Sequence, residues 1–307
     1  MTDPSAAAPT PAPVDLLDRR LLFVTGKGGV GKTSAAAALG LLAAQQGRRV
    51  LLCEVDANGN LSDFLEMPPT GLKPREVSPP EGWAGGGDLF VMSMDTEESL
   101  REYLALQLKV PIIARVGPLA RSFDFVATAA PGVKEILTVG KLCWEVRERH
   151  YDLVVVDAPA SGHVVAQLTA PQIINELVQV GRVRGQTRWM VNLLSDPAVT
   201  GAVIVSAPEE MPVAETIELA GRIERETTVD LAAVVVNKVL PELFGRGEEE
   251  IFNRLRDEPA RSRLAEAVGG DVGPALDGAR LAVTLRRTRA GHLDRLRDEL
   301  PAGLPLL

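Results

Sequence analysis

The chain has 307 residues, of which 46% are hydrophobic and 24% charged, a composition typical of globular proteins rather than of disordered chains. The formal net charge is −8, and this acidic balance disfavours general nucleic-acid binding. The only two cysteines, Cys53 and Cys143, are too few for a disulfide framework or a cysteine-based zinc clamp, and this usage fits a reducing compartment.

The beginning of the chain offers little that could be buried. Residues 1–13 include four prolines and four alanines, so we predict a disordered leader over residues 1–18 and a single domain over 19–307. No continuous apolar run in the sequence reaches the roughly 18 residues that a membrane-spanning helix needs. No basic region followed by an apolar run marks a secretory signal. We therefore expect a cytoplasmic protein without direct membrane insertion.

From residue 21 onward, short apolar runs alternate with stretches typical of helices, beginning with a helix predicted over 33–46. The runs are continuous, with no alternation of apolar and polar residues, so each strand should be buried on both faces, as in a parallel sheet covered by helices. This pattern predicts an α/β fold with a doubly wound, mainly parallel sheet. The predicted strands are 21–25, 50–55, 89–94, 152–157, 202–206 and 231–236.

Two regions interrupt this alternation. Residues 68–88 are rich in proline and glycine and are predicted to form a loop. Residues 99–149 contain no good strand and read as several helices separated by prolines. A second helical stretch is predicted over 171–194, after the strand 152–157. Together these stretches indicate a helical layer inserted beside the sheet, formed by about 95–150 and 168–200. Ordinary crossover helices are the alternative for part of this material.

The loop after the first predicted strand matches the phosphate-binding pattern G-x-x-x-x-G-K-[ST]. Its glycines let backbone amides converge on phosphate oxygens, and the N-terminus of the following helix adds a partial positive charge. We expect Lys32 to reach the β- and γ-phosphates of ATP and Thr33 to supply a hydroxyl ligand to Mg²⁺. This loop therefore predicts that the sheet is of the P-loop NTPase type. The predicted nucleotide-binding residues here are Gly26, Lys27, Gly28, Gly29, Val30, Gly31, Lys32, Thr33 and Ser34.

Lys27 is an addition that the general pattern does not require. The form GKGGVGKT resembles the deviant-Walker P-loop ATPases, in which this lysine acts across a dimer that sandwiches the nucleotides. Later motifs favour one branch, the arsenite-pump and tail-anchored-protein-targeting ATPases. Residues 53–63 resemble the switch I of that branch, residues 154–163 its Walker B and switch II, and residues 208–209 and 236–241 its later nucleotide contacts.

The chemistry of phosphoryl transfer agrees with this resemblance. Asp157 ends an apolar run, so its carboxylate should emerge at the sheet edge where α/β proteins bind ligands and hold a water on Mg²⁺. Asp56 is expected to orient the attacking water, although a turn cap is the alternative. With Lys27 and Lys32 it makes up the predicted catalytic set, since the reaction needs mainly positioning and charge neutralisation. Gly162 is expected to present its amide to the γ-phosphate.

The resemblance implies two further nucleotide contacts. Asn237 should bond the adenine edge, where an amide offers both a donor and an acceptor. Glu209 is the matching acidic contact, with a carboxylate at a helix start as the alternative. His163 is interpreted as a satisfied switch residue rather than a base or metal ligand, because no other histidine lies near it in sequence.

Several features depart from the family pattern. Switch I reads Asp56-Ala57-Asn58-Gly59, where the family usually has proline, alanine and histidine after the aspartate, and this makes the loop looser. The zinc-binding C-x-x-C pair of the targeting branch is missing from the sequence. We interpret Cys53 and Cys143 as buried small hydrophobes, so arsenite binding is not expected.

We therefore predict a Mg²⁺-dependent ATPase that acts as a dimeric switch, either a homodimer or a heterodimer with a related chain. ATP hydrolysis would be coupled to binding and release of an unknown protein client, without a nucleic-acid partner. Two alternatives stay open. One is a nucleotide-operated scaffold with slow turnover, which the altered switch I motivates. The other is an ATPase of the partition or septum-placing type, which the acidic charge disfavours.

Overall fold

The computed structural model describes residues 15–55, 60–78, 86–94, 132–177, 182–245 and 247–307. The strands in these ranges are β1 (Leu21–Gly26), β2 (Val50–Glu54), β3 (Arg75–Glu76), β4 (Leu89–Ser93), β5 (Leu153–Asp157), β6 (Thr200–Ser206) and β7 (Leu231–Val236). They form one sheet in the order β3-β4-β2-β5-β1-β6-β7. All neighbouring pairs are parallel except β3 and β4.

The helices follow the strands in the order expected of crossover connections. A short 3₁₀ turn, Leu16–Asp18, precedes β1. The α-helices in the described ranges are α1 (Lys32–Gln45), α2 (Asn60–Phe64), α3 (Val133–Arg147), α4 (Ser161–Leu177), α5 (Arg182–Leu194), α6 (Glu210–Glu226), α7 (Glu248–Arg256), α8 (Ala260–Val268) and α9 (Gly273–Glu299). None of them has the length and apolar character needed to span a bilayer.

Alternate residues of the central strands face two separate cores. In β1, Leu21 and Phe23 belong to one hydrophobic cluster, whereas Leu22 and Val24 belong to the other. The second cluster contains the alanines of α1, which let that helix pack closely on the sheet, and the first contains residues of α3–α6. Both faces are therefore covered, which explains the continuous apolar runs. The predicted α/β fold with a doubly wound, mainly parallel sheet is confirmed.

Helices α3, α4 and α5 pack on one another and on the same face of the sheet. Leu142, Leu168 and Leu194, one from each helix, are fully or almost fully buried in the cluster that also holds Phe23. These helices therefore share their core with the sheet. Part of the helical layer expected over about 95–150, namely residues 95–131, lies outside the described residues.

Local differences from the sequence analysis have physical reasons. The predicted loop 68–88 contains β3, which adds an antiparallel edge to β4. Leu17, which falls within the leader expected over 1–18, is buried against the α1 side of the sheet. Pro171 is buried inside α4. The helical stretch predicted to begin at residue 171 therefore begins ten residues earlier, at Ser161. Beyond β7, Leu306 pairs in parallel with Val234.

Candidate functional site

The loop between β1 and α1 lies at the carboxyl edge of the sheet, where β1 is flanked by β5 and β6. Three of its glycines adopt backbone conformations that other residues rarely take: φ is +143° at Gly26, +80° at Gly29 and +97° at Gly31. A Cβ atom at Gly26 would lie 2.2 Å from the carbonyl oxygen of Val205. Gly31, the N-cap of α1, has no side chain to bond the first helical amides. The loop thus has the backbone geometry of a phosphate cradle.

A hydroxyl and a carboxylate meet below this loop. Thr33 Oγ1 donates a hydrogen bond of 2.6 Å to Oδ2 of Asp157, which is 7% exposed at the end of β5. These hard oxygen groups are the kind that Mg²⁺ prefers, and a magnesium ion with few protein ligands keeps waters and phosphate oxygens in its remaining positions. The donor set therefore fits Mg²⁺.

The two lysines of the loop have different partners. Lys32 Nζ donates to the backbone carbonyl of Lys27 at 3.2 Å, so the ammonium group lies over the loop. The ammonium group of Lys27 instead forms an ion pair with Glu215 of α6. The Lys27 and Glu215 side chains are 29% and 31% exposed, so solvent or another chain can reach this pair.

The residues after β7 hold the loop from outside. Asn237 Nδ2 donates to the carbonyl of Val30 at 2.9 Å, and Asn237 Oδ1 accepts from the amide of Lys238 at 2.8 Å. Lys238 Nζ donates to the carbonyl of Gly29 at 2.7 Å. In this structure the side-chain amide of Asn237, expected at the adenine edge, is thus bonded to the phosphate-binding loop and to the backbone amide of Lys238.

Glu209 lies at the N-terminal end of α6 and makes no side-chain hydrogen bond to the first amides of that helix. Its carboxylate oxygen Oε1 lies 3.4 Å from Arg289 Nη2, in α9. The structure therefore places Glu209 beside a cation from a distant part of the chain rather than in a capping role.

The two segments expected to act as switches follow β2 and β5, which are neighbours in the sheet. Glu54 at the end of β2 is buried, and its carboxylate accepts from the amide of Asn60 at 2.8 Å and from Ser93 Oγ at 3.2 Å. Asp56, the expected catalytic carboxylate, lies outside the described residues, between Glu54 and Asn60. After β5, the carbonyl of Pro159 accepts from Thr25 Oγ1 at 3.0 Å, which ties this segment to β1.

Gly162 and His163 lie in the first turn of α4, just after that hydrogen bond. Both are exposed, and a Cβ atom at Gly162 would meet nothing within 4 Å. The amide of His163 donates to the carbonyl of Ala160 at 2.9 Å. Gly162 therefore lies in an open helix N-terminus, where a backbone amide can bind an anion.

Comparison with known proteins agrees with this geometry. A family model described as anion-transporting ATPase matches residues 19–193 and 179–258. The chain belongs to the anion-transporting ATPase family. ATPase BagA of Mycobacterium tuberculosis is 32% identical to it over 228 residues, which make up 72% of this chain and 66% of BagA.

Two relatives with lower sequence identity cover different shares of the chain. A putative arsenical pump-driving ATPase of Halobacterium salinarum is 26% identical over 318 residues, covering 97% of this chain and 46% of that protein. ATPase GET3 of Podospora anserina is 29% identical over 181 residues, covering 58% of this chain and 51% of that protein. The matched part of the chain thus spans between 46% and 66% of the length of these three relatives.

Sequence reasoning did not single out three residues that the structure brings to this site of the anion-transporting ATPase fold. Lys238 directly follows Asn237 and could have been found from that position. Glu215 and Arg289 carry no local signal, because the one pairs with Lys27 across 188 positions and the other with Glu209 across 80.

The cysteines lie away from the phosphate-binding loop in this family member. Cys53 is in β2 and Cys143 in α3, and both are fully buried in the hydrophobic cluster. Burial raises the pKa of both thiols well above the ordinary value, and the carboxylates of Glu145 and Glu54 raise the pKa of Cys53 further. Both thiols therefore stay protonated at neutral pH, as the interpretation of buried hydrophobes requires.

We expect a thiol reagent such as dithionitrobenzoate to label native protein at least about a hundredfold more slowly than a free thiol, because neither thiolate forms and neither sulfur is reachable. Raising the pH from 7 to 9 should add little, since both pKa values lie above that range. In urea both cysteines should react at once. Rapid labelling of one thiol in native protein would contradict the buried placement.

Proposed function

We propose that the chain binds ATP with Mg²⁺ at the loop 26–33, hydrolyses it, and acts as a dimer that couples hydrolysis to binding and release of a protein client. The observation that carries the proposal is the hydrogen bond between Thr33 and Asp157 beneath a glycine-rich loop. That pairing brings a hydroxyl and a carboxylate to the place where a metal-bound triphosphate would need them.

Phosphate binding would use the backbone first. The positive φ values of Gly29 and Gly31 and the N-terminus of α1 support amide groups that converge on the β- and γ-phosphates. Lys32 would exchange its bond with the Lys27 carbonyl for a phosphate oxygen. A charge-assisted bond to phosphate is stronger than a bond to a neutral carbonyl, so binding should draw the ammonium away.

Hydrolysis would need little covalent help from the protein. Thr33 and, through a water, Asp157 would hold Mg²⁺, which neutralises charge on the β- and γ-phosphates when bound. We assign Asp56 to orient a water in line with the γ-phosphorus. The water oxygen bonds to phosphorus, the bond to the ADP oxygen breaks, and the water proton passes to the carboxylate or to phosphate.

Dimer formation would involve Lys27. Its ion pair with Glu215 is partly exposed, so the lysine can exchange this partner for a phosphate held by a second subunit. Only ATP offers the γ-phosphate, which makes the contact specific for the triphosphate state and provides the differential binding that a switch requires. The partner is either a second copy or a related ATPase.

The client surface would lie on the helices beside the sheet. Ile173 and Leu177 are one turn apart on α4 and are 50% and 73% exposed. Two large apolar side chains on one helix face suit an apolar segment of a client. The names of GET3 and its relatives agree with an ATPase but leave the client of this chain unassigned.

Lys27→Ala tests the dimeric mechanism, with Glu215→Gln as its matched control. We expect Lys27→Ala to bind MgATP within about threefold of wild type but to lose ATP-dependent association and about a hundredfold in turnover, because the variant lacks one cation that would neutralise charge on the transferred phosphate. Glu215→Gln should keep both activities, since it only releases the lysine.

Sedimentation velocity with a non-hydrolysable ATP analogue measures association, and phosphate release measures turnover. If Lys27→Ala associates and hydrolyses ATP as wild type does, the dimeric mechanism is wrong. If Lys27→Ala lowers turnover but the wild type stays monomeric with and without nucleotide, Lys27 acts within its own subunit.

A further inference from the structure

The C-terminal helix α9 reaches the phosphate-binding site through two arginines. We propose that Arg286 and Arg289 are positioning residues for nucleotide binding, because they hold the segment 237–242 against the loop 26–33. This inference rests on the proposed nucleotide binding. In the described structure the two guanidinium groups bond to segment 237–242 and to Glu209, and neither contacts the loop itself.

The inner part of the arrangement fixes the orientation of two peptide groups. Asn237 and Lys238 donate to the carbonyls of Val30 and Gly29, respectively. A carbonyl and the amide of the following residue belong to one planar trans peptide and point in opposite directions. Holding the carbonyls of Gly29 and Val30 on the outside therefore aims the amides of Val30 and Gly31 towards the other side, where a phosphate would bind.

The outer part holds the segment that carries these donors. Arg286 Nη1 donates to the carbonyl of Leu240 at 2.6 Å. Arg289 Nη1 donates to the carbonyl of Lys238 at 3.3 Å, and its Nη2 lies 3.4 Å from Glu209 Oε1. Residues three apart on a helix lie on one face, so the two arginines reach carbonyls two apart on the segment. We call Arg286 and Arg289, with the two carbonyls that they hold, the arginine clasp.

The backbone of the clasped residue is strained. Lys238 has a φ of +59°, a left-handed conformation that a lysine rarely adopts without support. The support comes from both sides, since its Nζ is bonded to the loop and its carbonyl to Arg289. Losing the clasp should allow Lys238 to relax and the adjacent Asn237 to leave the loop.

Exposure separates the clasp from the rest of α9. The Arg289 and Arg286 side chains are 22% and 39% exposed, whereas the intervening Arg287 is 70% exposed and pairs with Glu249. Arg287 therefore carries the same charge as Arg286 and Arg289 and lies on the same helix, but it bonds to Glu249 and not to segment 237–242. Its alanine variant is the matched control.

The test is calorimetric titration of the full chain with MgADP, together with steady-state ATP kinetics. Arg286→Ala/Arg289→Ala should raise the Kd for MgADP and the KM for ATP about tenfold, the effect expected from losing charge-assisted hydrogen bonds. Turnover at saturating ATP should change less than about threefold, because the clasp acts on binding and leaves Lys32 and Asp157 in place. Arg287→Ala should stay within about twofold of wild type.

Two further variants separate positioning from general stabilisation. Arg289→Lys keeps the charge and the fold but cannot reach both acceptors at once, so its Kd should lie between wild type and the double variant. In an Asn237→Ala background the double variant should add less than about twofold, because the clasp acts through that residue.

Each outcome decides the inference. Unchanged affinity in the double variant and in Arg289→Lys, equal weakening by Arg287→Ala, or full additivity with Asn237→Ala would each overturn the clasp while leaving nucleotide binding intact. If the double variant does not fold, Arg289→Lys decides alone. A wild-type chain that takes up no MgADP would overturn the nucleotide-binding proposal first, and the clasp with it.

Discussion

Replacing Lys32 by alanine should reduce ATP turnover by about a thousandfold or more. Phosphoryl transfer spreads negative charge over the γ-phosphate oxygens, and this ammonium group is the cation that the loop itself supplies next to them. The side chain is partly buried and its ammonium group donates to the Lys27 carbonyl, which keeps the cation over the loop.

Phosphate release by purified Lys32→Ala measures this effect, with Lys73→Ala as the control, since Lys73 is exposed and far from the loop in sequence. The fold should be kept, because the lost bond is a single contact to a carbonyl. Turnover of Lys32→Ala near the wild-type rate, in a protein with an unchanged unfolding temperature, would remove the loop from catalysis.

Gly26→Ala should lower the free energy of unfolding by about 3 kcal/mol. The new Cβ would lie 2.2 Å from the carbonyl oxygen of Val205, and φ at this position is +143°. Neither atom can move cheaply, because Gly26 and Val205 are register partners in the two central strands β1 and β6.

Gly28→Ala is the matched control in the same loop. A Cβ there meets nothing within 4 Å, and the backbone is not in the left-handed region. The free energy of unfolding should then change by less than about 1 kcal/mol. Urea denaturation followed by circular dichroism compares the two variants, and equal stabilities would show that β1 and β6 can separate at this point.

The strands could be predicted from sequence because their burial is two-sided. Runs such as 153–157 and 202–206 contain almost only apolar residues, and only a sheet covered on both faces accommodates them. The edge strand β3 could not be predicted in this way, since Arg75 and Glu76 are both charged and exposed and carry no apolar signal for a strand. The predicted start of a helix at Pro171 was wrong, because α4 continues through this proline. Burial of Pro171 compensates for the loss of one amide donor.

The site divides in the same way. The loop, Lys32 and Thr33 could be predicted from one contiguous motif, whose residue types suit phosphate and Mg²⁺ chemistry. Asp157 could be predicted from its position at the end of an apolar strand. The partners of Lys27 and Glu209 were beyond sequence reasoning. Glu215 and Arg289 meet them only once α6 and α9 are packed, and no local pattern records such distant pairs.

The common core of α3–α5 and the sheet limits how those helices can move. A lobe with its own apolar centre can swing as a rigid body about a hinge, leaving its neighbour intact. Here Leu142, Leu168 and Leu194 interlock with strand side chains, so a large swing would open a dry interface to water. Rearrangement of this layer must therefore proceed by shear, in small slides of one packed helix along another.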